Sequence, residues 1–320
     1  IYTLSLHDAL PIFAPFLDLM LDKSVLKVFH AARQDLEIIL KLAGALPAPL
    51  FDSQIAAMAC GFGDSIAYDA LVQTVLKRRL DKSSRFTDWS RRPLSDAQLT
   101  YALADVTHLR DLYPRMYEKL ESENRLNWLD DEHANLLDPE IYDTTPEKAW
   151  RRLKLRKTTP DYVLGLQVAA AWRERQAQAR DVPRGRVVKD EALYEIAELR
   201  PKTAADFERM RAVPRGFGNS RGAQDLLNAL ESAFADTNRP TYKHDRPPPS
   251  PSSIGPTVEL LKVLLRYEAE RGQVAPRLIA SAADIEAIAA NDDANVEALK
   301  GWRRKVFGER ALALKHGKIA

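Results

Sequence analysis

The stretch Val28-Phe29-His30-Ala31-Ala32-Arg33-Gln34-Asp35-Leu36-Glu37 constrains this chain most. Val25-Leu26-Lys27-Val28-Phe29 is a β-branched, mostly apolar run with the composition of a buried strand. It leads straight into apolar positions Leu36, Ile39, Leu40 and Ala43, which keep helical spacing until Gly44 and the prolines at 47 and 49 end the element. The result is a strand feeding a helix that carries a carboxylate, Asp35, near its start. A second feature lies downstream in Tyr101-Ala102-Leu103-Ala104-Asp105-Val106, where a phenol and a carboxylate sit four residues apart and so share one face of a helix.

Length and composition bound the rest. A chain of 320 residues has room for two or three domains. No apolar run approaches the ~20 residues of a membrane span, and no basic segment precedes the first apolar stretch, so neither a membrane segment nor a secretory leader is expected. The single cysteine, Cys60, excludes an internal disulfide framework and fits a reducing cytoplasm. A net charge of +2 does not by itself demand a polyanionic partner, so nucleic-acid binding has to be argued from local clusters.

Residues 1–13 are expected to be a non-native extension. A short amphipathic helix at Leu17–Leu21 precedes the strand. Residues 52–80 show a helical pattern broken at Gly61 and Gly63, and residues 80–93 are polar and irregular, a loop by composition. Ser95-Asp96-Ala97-Gln98 is a capping-box pattern that starts the Tyr101/Asp105 helix, expected to run to about His108 or beyond, with another helix over 111–129. Residues 135–146 form an acidic connection and a domain boundary. Thr145-Pro146 and Thr159-Pro160 predict N-caps with proline in the first turn. Four or five short helices are expected to Ala235, with turns at Pro183-Arg184-Gly185, Pro201 and residues 214–222. Residues 236–256, with Pro247-Pro248-Pro249-Ser250-Pro251-Ser252-Ser253, have the composition of an extended linker. A last helical unit fills 257–320, with a second capping box at Ser281–Asp284.

The two opening motifs resemble the second and third motifs of the DEDDy 3′–5′ exonucleases, and ribonuclease D in particular. Leu80-Asp81-Lys82-Ser83 through Asp88-Trp89-Ser90-Arg91-Arg92-Pro93-Leu94 is similar to the segment linking the halves of that nuclease. Trp150-Arg151-Arg152-Leu153, Ala171-Trp172-Arg173-Glu174 and Asp181-Val182-Pro183-Arg184 resemble an HRDC domain. So do Val274-Ala275-Pro276-Arg277-Leu278-Ile279-Ala280 and Gly301-Trp302-Arg303-Arg304-Lys305-Val306-Phe307-Gly308. The resemblance implies a mostly α chain: a remnant of an α/β ribonuclease H-like exonuclease domain over 14–135, then two small all-α HRDC-like domains at 146–235 and 257–320. The family's Asp-x-Glu motif has no counterpart upstream of Val28. The resemblance thus reads the domain as N-terminally truncated, impaired in catalysis, and liable to expose apolar surface.

The resemblance also assigns roles. Phosphodiester hydrolysis in this family uses two divalent ions, Mg²⁺ or Mn²⁺, held by four carboxylates. By motif match Asp35 and Asp105 are two of these and Tyr101 orients the attacking water. The bland readings are a carboxylate complementing a helix dipole for Asp35, and a packed ring with a solvated charge for the Tyr101/Asp105 pair. His30 is expected to be packed and hydrogen-bonded, Glu37 a surface charge, and Asp8 no substitute ligand. Lys148, Arg151, Arg152, Lys154, Arg156 and Lys157, with Arg303 and Arg304 in the last unit, are candidate phosphate contacts, the alternative being a solvated helix face. The turn at 215–222 is expected to connect helices rather than bind phosphate, and Trp172 and Trp302 to anchor cores. The implied activity is 3′ trimming of tRNA precursors and other small structured RNAs by a monomeric cytoplasmic enzyme. Alternatives are a nucleic-acid-binding fragment that does not cleave, and a DNA-directed exonuclease of the same motif class.

Overall fold

A computed structural model describes the backbone of residues 6–237 and 254–319, with side chains from Phe13 onward. These residues fall into two compact units, one within Ile1–Ile141 and Pro248–Ala320, the other within Tyr142–Pro247.

The first unit opens with α1 (Leu6–Leu21), which begins well before the short helix expected at Leu17. Strand β1 (Lys27–Phe29) follows, then α2 (Arg33–Ala43), β2 (Leu50–Asp52), α3 (Ser53–Ala59) and α4 (Tyr68–Leu76). The strands pair in parallel, Lys27 opposite Leu50 and Phe29 opposite Asp52, with α2 as the crossover. The expected five-residue buried strand is three residues long. Its buried member is Lys27, while Val28 and Phe29 are half-buried. Lys27 tolerates burial because its ammonium donates to the carbonyls of Asp22 at 2.6 Å and Ala48 at 2.7 Å. Strand β2 lies where a helical pattern was expected to begin. Three residues between a proline and a helix cap carry too little periodicity to register.

Helix α5 (Asp96–Ser122) is one continuous element, not the two expected. The Ser95–Gln98 capping box starts it as predicted, and Pro114 is accommodated inside it. Leu112, Met116 and Leu120, one turn apart, are buried and hold the second half of the helix on the core, which outweighs the backbone hydrogen bond lost to proline. A 3₁₀ turn (Leu126–Leu129) and α6 (Asp130–Leu136) complete this part.

The second unit is helical: a 3₁₀ segment (Pro146–Arg152), α7 (Pro160–Ala179), α8 (Arg184–Val187), α9 (Asp190–Leu199), α10 (Ala204–Phe207) and α11 (Arg221–Ala235). Leu166, Trp172, Leu193, Ile196, Phe207 and Leu226 form its core. The two prolines occupy first turns as predicted, but neither Thr145 nor Thr159 makes a side-chain cap, and Thr145 opens a 3₁₀ rather than an α segment. A capping box at Thr203–Asp206 was not foreseen.

Most of the linker expected at 236–256 lies outside the described residues. Helix α12 (Gly255–Arg271) already begins before its expected end, followed by α13 (Pro276–Ile279), α14 (Ala282–Ala290), α15 (Gly301–Arg303), a π turn (Arg304–Gly308) and α16 (Glu309–Lys315). The Ser281–Asp284 capping box is present. These C-terminal helices are not a separate body. Leu261, Leu278 and Phe307 share one apolar cluster with Phe51, Leu71 and Leu112 of the first unit. Among the described residues no helix is long and apolar enough to cross a membrane.

Candidate active site

Two helices, each fixed by a neighbouring side chain, deliver the predicted residues to one place. Asp35 stands in the first turn of α2. The turn that enters α2 carries Ala31 at φ 57°, a left-handed conformation that costs a residue with a Cβ about 1 kcal/mol. Asp52 holds it there. Its carboxylate, 2% exposed, accepts from the amides of Ala31 at 3.0 Å and Ala32 at 2.7 Å, and caps α3 by accepting from Gln54 at 2.7 Å. The Asp52 amide donates to Nε2 of His133 at 3.1 Å. Loss of hydration holds the His133 imidazole below its usual range, which keeps it neutral and able to accept.

Helix α5 presents Tyr101 and Asp105. The Tyr68 hydroxyl on α4 lies 3.0 Å from the Ala104 carbonyl and 2.9 Å from that of Asp105, and donates to this pair. Burial, then the Asp105 charge, push the Tyr68 phenol up, so it remains a donor. His30, half-buried, packs its ring 5.4 Å from that of Tyr68. A carbonyl can only accept, so His30 Nε2 donates to Ile66 at 3.2 Å, leaving Nδ1 to accept from the Ser53 hydroxyl at 2.9 Å. The packed, hydrogen-bonded histidine expected from sequence is found. Glu37 is exposed, as expected.

Asp35, Tyr101 and Asp105 line a single cavity of about 1050 Å³, together with His30, Lys82 and Arg85. Both aspartates reach solvent, yet the concave wall strips part of their hydration and pushes both carboxyls above the usual range. At Asp35 a backbone hydrogen bond opposes that rise and the Asp52 charge adds to it; at Asp105 the neighbouring His108 opposes it. Neither has an ion-pair partner among the described residues. Phe16, Leu19, Leu26, Ile38 and Val106 line the same cavity and are exposed.

Two carboxylates without countercharge are hard oxygen donors whose ionised form a divalent cation would favour. The set fits such an ion in kind but is incomplete in number: among the described residues no group of three or more His, Cys, Asp or Glu is placed to hold a metal.

The candidate phosphate contacts fare differently. Lys148 pairs with Asp143 at 2.6 Å, Arg156 with Glu191 at 2.8 Å and Lys157 with Glu198 at 2.6 Å. Arg152 donates to the Asp143 carbonyl. Arg304 is exposed beside Glu309. Arg303 is 4% exposed and its guanidinium is taken up by Leu278, Asp131 and Glu132, so it is a structural group and not a free phosphate contact. The turn at 215–222 connects helices: the Ser220 hydroxyl caps α11 by accepting from Ala223 at 3.1 Å. Trp172 is a core anchor, and Trp302 stacks on Trp128. Cys60 is buried and its thiol is pushed up to about 12, which leaves it unreactive.

Sequence profiles described as 3′–5′ exonuclease and HRDC domain match residues 1–121 and 166–229. A ribonuclease D of Nitrobacter hamburgensis is 50% identical over 306 residues, covering 96% of this chain and 80% of that protein. The chain belongs to the ribonuclease D family. A ribonuclease D of Granulibacter bethesdensis is 46% identical over 311 residues, covering 96% of this chain and 78% of its own. The crystal structure of Escherichia coli RNase D, an exoribonuclease involved in structured RNA processing, superposes with a TM-score of 0.72 at 27% identity, over 96% of this chain and 84% of that one. Asp35, Tyr101 and Asp105 all fall within the matched 3′–5′ exonuclease region. Sequence reasoning missed Asp52 and Tyr68, the two groups that position them. An aspartate directly before a helix was the available signal for the first; for the second there was none, because Tyr68 acts across 37 residues.

Proposed function

We propose that this chain acts as a divalent-metal-dependent 3′–5′ exoribonuclease on structured small RNAs of the tRNA-precursor kind, with the cavity between α2 and α5 as its catalytic centre. The observation that carries this reading is the convergence of Asp35, Tyr101 and Asp105, from helices far apart in the chain, on one cavity wall. Asp35 and Asp105 would hold the metal, which when bound supplies an activated water and stabilises charge on the leaving oxygen. Tyr101 directs its hydroxyl to orient the attacking water. Asp52 and Tyr68 hold the two carboxylates in place through the backbone of α2 and α5.

We read the C-terminal helices of residues 254–319 as a second HRDC-like unit, on the resemblance of residues 274–280 and 301–308 to that domain. Arg151 and Lys154 are the cations of the first basic run available to an RNA backbone.

The deciding experiment incubates the chain with a 3′-hydroxyl RNA and Mg²⁺ and follows release of 3′ nucleotides. Release that is abolished by Asp105→Asn is expected. Binding of RNA without release would overturn the catalytic reading, and activity that survives Asp105→Asn would remove the assigned centre.

A further inference from the structure

The loop between α4 and α5 is pinned at several points. Lys82 pairs with Asp69 of α4 at 2.5 Å, and Ser84 is buried. Gln98 of α5 donates to the Thr87 hydroxyl at 3.0 Å and to the Asp88 carbonyl at 3.1 Å. The Trp89 ring packs 5.8 Å from that of Tyr101. Between these anchors two residues project outward. Phe86 is 89% exposed, the most exposed of the large apolar side chains described. Arg85 is exposed, lines the catalytic cavity, and places its guanidinium 5.1 Å from the Phe86 ring centroid.

A lone exposed phenylalanine is ordinary on a protein surface and says nothing by itself. Here the ring is held beside a cavity-lining cation that has no carboxylate partner among the described residues. The other cation of that loop in the cavity wall, Lys82, is already paired. An aromatic face next to an unpaired guanidinium is the arrangement that takes a stacked base and its phosphate together. Trp89, three residues beyond Phe86, packs against Tyr101, so the loop lies beside the helix that carries Asp105.

We infer that Phe86 and Arg85 form a nucleotide subsite at the mouth of the cavity, Phe86 stacking an unpaired base near the 3′ end of the substrate and Arg85 contacting its phosphate. A paired base has both faces covered by its neighbours, so the subsite selects RNAs whose 3′ end is single-stranded and holds back duplex. This inference rests on the exonuclease reading of the cavity, but it is tested by binding rather than cleavage.

The full chain is titrated in EDTA against two fluorescein-labelled RNA hairpins, one with a single-stranded 3′ overhang and one blunt, and binding is read by fluorescence anisotropy. Phe86→Ala is expected to weaken binding to the overhang about tenfold, the loss of one base stack, and to leave the blunt hairpin unchanged. Phe86→Trp should restore binding, and Arg85→Ala should weaken it and flatten its salt dependence. Because Phe86 packs into no core, a folding defect is not expected, and far-UV circular dichroism checks this. Overhang binding by Phe86→Ala equal to wild type overturns this inference alone. Failure of the wild-type chain to bind either RNA overturns it together with the proposed function.

Discussion

A buried arginine follows a tryptophan in each helical region, at Trp172-Arg173 and Trp302-Arg303, and the two copies are put to different use. Both arginines are 4% exposed. Arg173 donates to the Val188 carbonyl at 3.2 Å and to Asp190 at 2.6 Å, and Trp172 meets Phe217 edge-on, all within the second unit. Arg303 also donates to a carbonyl of its own helical region, that of Leu278 at 2.9 Å. Its other two nitrogens reach Asp131 at 2.6 Å and Glu132 at 3.0 Å, on α6 of the nuclease region. Trp302 stacks on Trp128, with ring centroids 3.9 Å apart. The shared dipeptide thus buries an arginine against a carbonyl in both places. Where its carboxylate partners lie decides whether the helices close on themselves or fasten to the nuclease. Arg125 strengthens the second arrangement, donating to the carbonyls of Ala59, Gly272 and Gln273.

The most severe test of this contrast is Arg303→Met beside Arg173→Met. Removing one partner of a largely buried pair costs about 3 kcal/mol here, somewhat below the fully buried case because Asp131 and Asp190 keep access to water. Calorimetry should show Arg303→Met lowering the transition of the nuclease-containing unit, and Arg173→Met that of the other. If both variants lower the same transition, the contrast fails. Asp52→Ala asks whether a buried charge also organises the nuclease side. Three amides lose their acceptor, so a loss of about 3 kcal/mol is expected in urea unfolding, with weaker Mn²⁺ binding at the cavity by paramagnetic relaxation. Unchanged Mn²⁺ binding would separate Asp52 from the site.

Gly61→Ala sharpens the description of the attachment. A Cβ at Gly61 would stand 2.5 Å from the Gln273 carbonyl oxygen, at a backbone φ of +80°. A loss of about 2 kcal/mol in urea unfolding is expected, from strain and displacement of the 272–275 turn. The smallest effect belongs to Lys157→Ala. Its pair with Glu198 is about half exposed on both sides, and screening should leave unfolding within about 0.5 kcal/mol of wild type. A larger change would mean that the basic run has a structural role beyond its visible pairs.

Much of the candidate site was legible because its residues sit at characteristic local positions. Asp35 opens a helix directly after a strand, Tyr101 and Asp105 share a helix face, and Ser95–Gln98 marks where that helix starts. Strand β2 was not legible, since three residues show no alternation. Its last residue, Asp52, was missed with it, although it clamps the turn before Asp35. The single α5 was read as two helices because local pattern does not reveal that Leu112, Met116 and Leu120 will find a core. Arg303 was read as a surface cation because a charged residue next to another arginine gives no local sign of burial. The carboxylates that enclose it lie 172 and 171 residues away.

What the sequence determined alone are the features set by neighbours within one or two turns: the caps, the strand-to-helix step, the chemical identity of the two carboxylates and the phenol, and the family. What the tertiary structure decided is which charges stay free. An ammonium or guanidinium has the same solution chemistry wherever it occurs in the chain. Only the fold sets whether it meets a carboxylate, as Lys157 and Arg303 do, or stands open beside the cavity, as Arg85 does.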